Sequence, residues 1–375
     1  MNPSQTPPGR SLWLSMVLLV VLLILFFLAI EWMSQSFKLF GQDLPRLLLN
    51  YTSNPLVALF IGILATSLMQ SSSATTSMVV AMVASGSLQL ELAVPIMMGA
   101  NIGTSVTNTL VSMAHINRSS EFRRAFSASI VHDFFNVLCV LVFFPLEYFT
   151  GFFHNAGQWL AGLVADVHGM EVLSPLKALV EPLARGVITQ LTKVLPTDGP
   201  WHLHAWCSLL CAFTLLFLAI VMLTRVLKGV ALSRAENWFE ASIFRSSIRS
   251  LLIGVLLTIA VQSSSVSTSL IVPFAGAGLL SLKQIFPYTL GANLGTTITA
   301  MLAALSTQNP AAVAIAMVHT LFNAAGTALF LPLSRLPIGL ASGMAELALR
   351  SRLIPMLYVL MAFFVVPLGL IFLLK

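Results

Sequence analysis

Polar residues in this chain interrupt long apolar runs at a few places instead of alternating with them. Residues 11–30 follow Arg10 without a charge, and residues 205–224 show the same uncharged run. Each run is about 20 residues, enough at 1.5 Å per residue to cross a bilayer core as a helix. Residues 125–144, 311–331 and 353–374 predict three more spanning helices. Other apolar runs are too short for a comfortable span. Residues 54–69 and 250–261 each lead into Gln-Ser-Ser-Ser, and residues 74–84 and 266–278 follow it. Short apolar arms around a polar break predict a re-entrant hairpin or a broken helix. Such backbone is tolerated at membrane depth only where protein or a water-filled cavity satisfies its polar groups. Residues 101–113 and 293–305 form a further matched pair. A secretory signal has an apolar region of only about 7–15 residues before a small-residue cleavage site. The first run is longer and no such site follows, so it is expected to stay as the first helix.

The breaks expose an internal duplication. Gln70 opens QSSSATTS and Gln262 opens QSSSVSTS; Gly99 opens GANIGTSVTN and Gly291 opens GANLGTTITA. Both pairs lie 192 residues apart. His132 opens HDFFN and His319 opens HTLFN, 187 residues apart, and Pro145 and Pro332 keep that spacing. Three polar motifs in one order at nearly fixed spacing mark two homologous halves. The expected organisation is a cytoplasmic N-terminus over 1–11 and a first transmembrane repeat over 12–145. A largely extracytoplasmic linker over 146–204 leads to a second repeat over 205–332. Residues 333–375 form a C-terminal segment with a final transmembrane helix.

Loop charge orients the halves. After the first GAN motif, Arg118, Arg123 and Arg124 stand against Glu121; the counterpart, 306–310, has no charge. After the first helix, 31–53 balances Lys38 and Arg46 against Glu31 and Asp43. Its counterpart holds Arg225, Lys228, Arg234, Arg245 and Arg249 against Glu236 and Glu240. Basic loops face the cytoplasm, so this reversal predicts opposite orientations for the two halves. The expected fold is an all-α polytopic membrane protein with two inverted-topology repeats and re-entrant or broken helices. That architecture belongs to secondary transporters with a site near the midplane.

Composition narrows the class. Of 375 residues, 57% are apolar and 9% charged, against roughly 45–50% and about 25% in soluble domains. So few charges exclude a soluble metabolic enzyme and a nucleic-acid binder. The excess of 19 basic over 13 acidic residues reads as topology. Cys139, Cys207 and Cys211 sit within apolar runs, which argues against a disulfide framework.

The motifs carry the chemistry. Gln offers an acceptor and a donor, and each Ser hydroxyl offers both. Three consecutive hydroxyls suit a helix break, where free N–H groups at the following N-terminus attract an anion. Candidate substrate ligands are Gln70, Ser71, Ser72, Ser73 and Asn101, with Gln262, Ser263, Ser264, Ser265 and Asn293. The plainer alternative is helix packing through small hydroxylated residues, which duplication in register weighs against. For Gly99 and Gly291 packing stays open as the explanation. His132 with Asn136, and His319 with Asn323, occur in both halves and suit a shared structural hydrogen-bond role. Asp133 occurs once, opposite Thr320. A lone intramembrane carboxylate is better explained by cation binding than by packing. An intramembrane hydrolase fits poorly: adjacent His132 and Asp133 point about 100° apart on a helix and cannot form a simple relay.

The duplicated QSSS and the stretch GTSVTN…EFRRAF…VHDFFN resemble the type II sodium-dependent phosphate cotransporters, including bacterial members, over about residues 50–145 and 245–335. The resemblance implies inward symport of inorganic phosphate with Na+, no other cofactor, and a multi-pass protein of the cell membrane, bacterial inner membrane included. It implies that the two QSSS segments form the phosphate site. It also implies that Gln262, Ser263, Ser264, Thr296 and Thr299 help hold sodium, and that Asp133 goes with electrogenic transport. An exporter, or a carrier of another oxyanion, is the alternative on the same scaffold. The chain departs from the family in lacking an acidic residue shortly before EFRRAF, where Asn117 and Arg118 stand. The linker is shorter than in animal members and has no cysteine.

Overall fold

A computed structural model of the chain describes residues 12–39, 54–163, 175–195, 203–230, 244–307 and 309–374. The expected cytoplasmic N-terminus, most of the loop after the first helix, and residues 231–243 lie outside the described residues. Among the described residues every regular element is helical. Among them, five helices are long and apolar enough to cross a bilayer: Met16–Met33 within the first helix, Ser119–Thr150, Leu203–Leu223, Pro310–Phe330 and Leu353–Leu374. The protein is an all-α polytopic membrane protein.

The first half runs α1 (Leu12–Lys38), α2 (Pro55–Met69), α3 (Ser72–Ala84), α4 (Leu90–Ile102), a 3-10 turn (Gly103–Ser105), α5 (Val106–Met113) and α6 (Ser119–Thr150). The linker carries α7 (Phe152–Leu163) and α8 (Pro175–Val194). The second half runs α9 (Leu203–Val230), α10 (Ser247–Val261), α11 (Ser264–Ala277), α12 (Leu282–Ser306) and α13 (Pro310–Phe330). Helices α14 (Arg335–Arg350), α15 (Leu353–Leu360) and α16 (Val366–Leu374) close the chain, with a π-helical turn at Met361–Val365 between the last two.

Duplication in sequence becomes duplication of local structure. Asn54 caps α2 by accepting from Val57 N at 2.9 Å, and Ser246 caps α10 by accepting from Arg249 N at 3.3 Å. Glycines then let helices of one half approach backbone to backbone. A Cβ on Gly99 would lie 2.0 Å from Leu59 O, and one on Gly291 would lie 1.9 Å from Leu251 O. Packing therefore accounts for both glycines, as expected where small residues bring membrane helices together.

The halves also exchange elements. Helix α3 packs on α12 and α13 of the second half, while α11 packs on α5 and α6 of the first. Each is tied at its C-terminus by the other half. Asn309 Nδ2 donates to Ala84 O at 2.8 Å, and the Arg124 guanidinium donates to Ala275 O and Gly276 O at 3.1 and 2.8 Å. These bonds satisfy carbonyls that a helix end leaves without intrahelical donors. Helices α1 and α9 lie together, joined by Trp32 Nε1 donating to Ser208 Oγ at 2.9 Å.

Several elements exceed the apolar pattern. Helix α1 continues past residue 30 to Lys38, which places Glu31 within a helix and not in a loop. The linker's polarity hid α7, which packs on α13 and buries Phe153 between Phe143 and Phe322, at centroid distances of 5.4 and 5.9 Å. Helix α14 was likewise hidden by its mixed composition; it packs on α6, and Arg123 meets Glu346 at 3.0 Å.

Candidate functional site

The two breaks share one construction. Gln70 ends α2 at φ 54° and Gln262 ends α10 at φ 53°. Among the described residues no other non-glycine residue has positive φ. The left-handed conformation costs roughly 1–2 kcal/mol for such a residue. Gln70 is held in place by its own side chain: Nε2 donates to Ser67 O, and Oε1 accepts from Thr107 Oγ1 at 2.9 Å. The following serine starts the next helix. Ser71 Oγ accepts from Ala74 N at 3.2 Å, and Ser263 Oγ accepts from Val266 N at 3.3 Å. Each break thus presents a helix N-terminus, whose first N–H groups lack intrahelical acceptors and carry partial positive charge.

The two N-termini meet. Ser72 Oγ lies 3.3 Å from Ser264 Oγ, both buried, and Ser73 Oγ donates to Gln262 O at 3.5 Å. Beside this contact is a cavity of about 180 Å³ lined by Gln70, Ser71, Ser73, Gln262, Ser263 and Ser265. In each QSSS the first and third serines face the cavity while the middle one pairs with its counterpart. Packing and binding thus divide the motif between them. Thr299 of α12 completes the polar wall, and Phe27, Ile30 and Val261 supply apolar surface. Among the described residues lining the cavity, the only charged one is Glu31 of α1, whose Oε1 accepts from Gln35 Nε2 at 2.7 Å. No Lys or Arg is among them.

The remaining candidates sit elsewhere. Thr296 is buried and donates to Ala292 O of its own helix at 3.1 Å. Asn101 and Asn293 do not line the cavity; they belong to a buried network across the halves. His132 Nε2 bonds Asn293 Oδ1 at 2.7 Å, and His319 Nε2 bonds Asn101 Oδ1 at 3.1 Å. Asn293 Nδ2 donates to Asn136 Oδ1 at 2.7 Å, and Asn101 Nδ2 donates to Asn323 Oδ1 at 3.1 Å. Each His of one half therefore bonds the GAN asparagine of the other, which gives the paired histidines the structural role their duplication suggested. Asp133 lies apart from the cavity on α6, fully buried, with Oδ2 accepting from Tyr358 Oη at 2.8 Å.

The family model described as Na+/Pi-cotransporter matches residues 25–175 and 215–349. The chain belongs to the Na+/Pi-cotransporter family. It is 32% identical over 424 residues to sodium-dependent phosphate transport protein 2A of Mus musculus, covering 94% of this chain and 67% of that protein. It is 31% identical over 442 residues to sodium-dependent phosphate transport protein 2B of Homo sapiens, covering 94% of this chain and 64% of that protein. The chain thus spans about two thirds of the length of these relatives. No solved structure matches it.

Sequence reasoning missed two residues within this cotransporter scaffold. The uncharged run ends at Ile30, which by sequence puts Glu31 in a loop, whereas the helix continues for two more turns. Tyr358 lies outside both repeats, so duplication gave no signal for it. Its place in an otherwise apolar final helix is the only mark it carries in the sequence.

Proposed function

We propose that the protein is a secondary active transporter that carries inorganic phosphate into the cell in symport with Na+. The family is one of transporters and not of enzymes, with Na+ as coupling ion, and the relatives are by name sodium-dependent phosphate transport proteins. The observation that carries the reading is the charge of the cavity. Two helix N-termini, four serine hydroxyls and two glutamine amides offer hydrogen bonds to an anion, yet among the described lining residues the one that is charged is a carboxylate. An isolated anion is costly to desolvate there without paired positive charge. Bound Na+ supplies that charge, so phosphate and sodium raise each other's affinity, and this reciprocity is the basis of coupling. Gln262, Ser263 and Thr299 supply cavity oxygens suited to a hard cation, while Ser264 and Thr296 are buried and do not line the cavity.

Asp133 is the ligand for an additional Na+ and makes transport electrogenic. Three Na+ with one phosphate dianion carry one net positive charge inward, and each such charge gains about 2.3 kcal/mol per 100 mV of negative interior potential. Residues 12–145 and 205–332 are the inverted repeats, the linker 146–204 lies largely outside, and a bacterial inner membrane is the setting. Loop charge supports the inversion and the family resemblance supports the location.

The test is uptake of radiolabelled phosphate by the purified protein in proteoliposomes. An inward Na+ gradient should drive accumulation, with arsenate competing and sulfate ineffective. Equal uptake with choline in place of Na+ would overturn the proposal. In the same vesicles, on a cysteine-free background, cysteines at Ser119 and Thr307 should label from opposite sides. Labelling from one side would overturn the inversion.

A further inference from the structure

Tyr358 comes from α15, outside both repeats, yet it bonds Asp133, the most deeply buried of the three buried carboxylates of α6. Its ring stands edge-on to Phe126 and Phe363, at centroid distances of 6.5 and 5.9 Å. Phe363 belongs to the π-helical turn Met361–Val365, which begins three residues after Tyr358. A π-turn replaces regular helical bonding with poorer geometry and recurs where a helix must adjust.

A second neighbour of Asp133 is Ser105, the last residue of the 3-10 turn that separates α4 from α5. Its side chain lies within interaction distance of the Asp133 carboxyl, short of full hydrogen-bond geometry. Ser105 Oγ and Asp133 Oδ1 are both buried with no hydrogen-bond partner, as is Thr109 Oγ1 one turn further on. The second half shows that the fold does not require this. There the equivalent of Ser105 is Thr297, which donates to Leu294 O at 2.8 Å, and the equivalent of Asp133 is Thr320, which donates to Ala316 O at 3.0 Å. Buried polar atoms normally find partners. Oxygens left over at Ser105 and Asp133, where the second-half equivalents are bonded, match the needs of a small hard cation.

We propose that Tyr358 is the lid of a sodium position at Asp133: its hydroxyl holds the carboxylate in the sodium-free stage of the cycle and turns away as Na+ takes its place. This rests on the reading of Asp133 as a cation ligand given above. The tyrosine keeps a buried carboxylate from standing without a donor, which stabilises the sodium-free carrier. It therefore competes with Na+. The adjoining π-turn gives the final helix slack for the movement, and the final helix becomes a gate that the duplicated core lacks.

Tyr358→Phe removes the competing hydrogen bond and leaves the ring packing in place. The Na+ concentration for half-maximal phosphate uptake should fall about tenfold, in line with loss of a hydrogen bond to a charged group. Half-saturation by phosphate at saturating Na+ should not change. In an Asp133→Asn background the substitution should have no effect on sodium activation. A half-activating concentration that is unchanged or raised in Tyr358→Phe overturns the lid. A second measurement uses the wild-type protein, so it does not depend on the variant folding. Amide hydrogen exchange across residues 354–366 should quicken on adding Na+ and stay unchanged with choline; no response to Na+ overturns the lid as well. If Asp133→Asn by itself leaves sodium activation untouched, the cation reading fails and takes the lid with it. If Asp133→Asn shifts sodium activation and Tyr358→Phe does not, the lid alone fails.

Discussion

In the first half the helix that carries the GAN motif breaks at Gly103–Ser105 into a 3-10 turn, and α6, which follows α5, holds Asp133. In the second half the equivalent residues 295–297 continue a single 25-residue helix, and Thr320 stands where Asp133 would. The backbone frame around the QSSS motifs is alike by contrast. The caps at Asn54 and Ser246, the left-handed glutamines, the serine N-caps and the tight glycine contacts all recur at the same spacing. The comparison separates two tasks. What the halves share builds one composite cavity from two helix N-termini, where an anion is held by neutral donors. What they do not share is one buried carboxylate with unsatisfied oxygens beside it, which suits a cation.

Each part of this contrast can be broken. The largest effect is expected at the glycines. Gly99→Val and Gly291→Val both force a side chain into backbone only 2.0 and 1.9 Å from the new Cβ. Overpacking alone costs about 1–3 kcal/mol, and rigid backbone neighbours put both variants at the upper end or beyond. Neither should give a monodisperse peak on size-exclusion chromatography, and tolerance at one position only would show that the halves do not pack alike. Next in size are the third serines. Ser73→Ala and Ser265→Ala each remove one hydroxyl from the cavity wall. A lost hydrogen bond to charge costs about 1.5–3 kcal/mol, so half-saturating phosphate should rise roughly 10- to 150-fold. The two variants should be matched within a few fold. An effect in one and none in the other would mean that the phosphate is held by one half.

Much of this was legible beforehand because polar residues in a membrane segment are expensive and so conspicuous. QSSS, GAN and the His-Asn pairs stood out in each half, and fixed spacing tied them together before any contact was known. Two things were hidden. The first was which serine faces which way, since Ser72 and Ser264 pair with each other and only the folded contact between halves decides it. The second was the placement of Asn101 and Asn293, whose polarity marked them as ligands but whose partners are His319 and His132. Glu31 was hidden because the uncharged run ends at Ile30 while the helix runs on to Lys38, and Tyr358 because it acts across elements far apart in sequence, where neither periodicity nor repetition leaves a trace. Helices α7 and α14 were missed because amphipathic helices packed on a transmembrane bundle carry no long apolar run.

The division of labour between the halves is tested most directly by the voltage dependence of transport. Phosphate accumulation in proteoliposomes would be measured with a fixed Na+ gradient, with and without an imposed interior-negative potential, for wild type, Asp133→Asn and Thr320→Val. One net charge per cycle contributes about 2.3 kcal/mol per 100 mV, an accumulation ratio raised up to about 50-fold. The account expects that response in wild type and in Thr320→Val. In Asp133→Asn, sodium-driven phosphate uptake should remain and the response to potential should vanish. Uptake by the wild-type protein that is indifferent to potential, or an Asp133→Asn variant as voltage-sensitive as wild type, would contradict it.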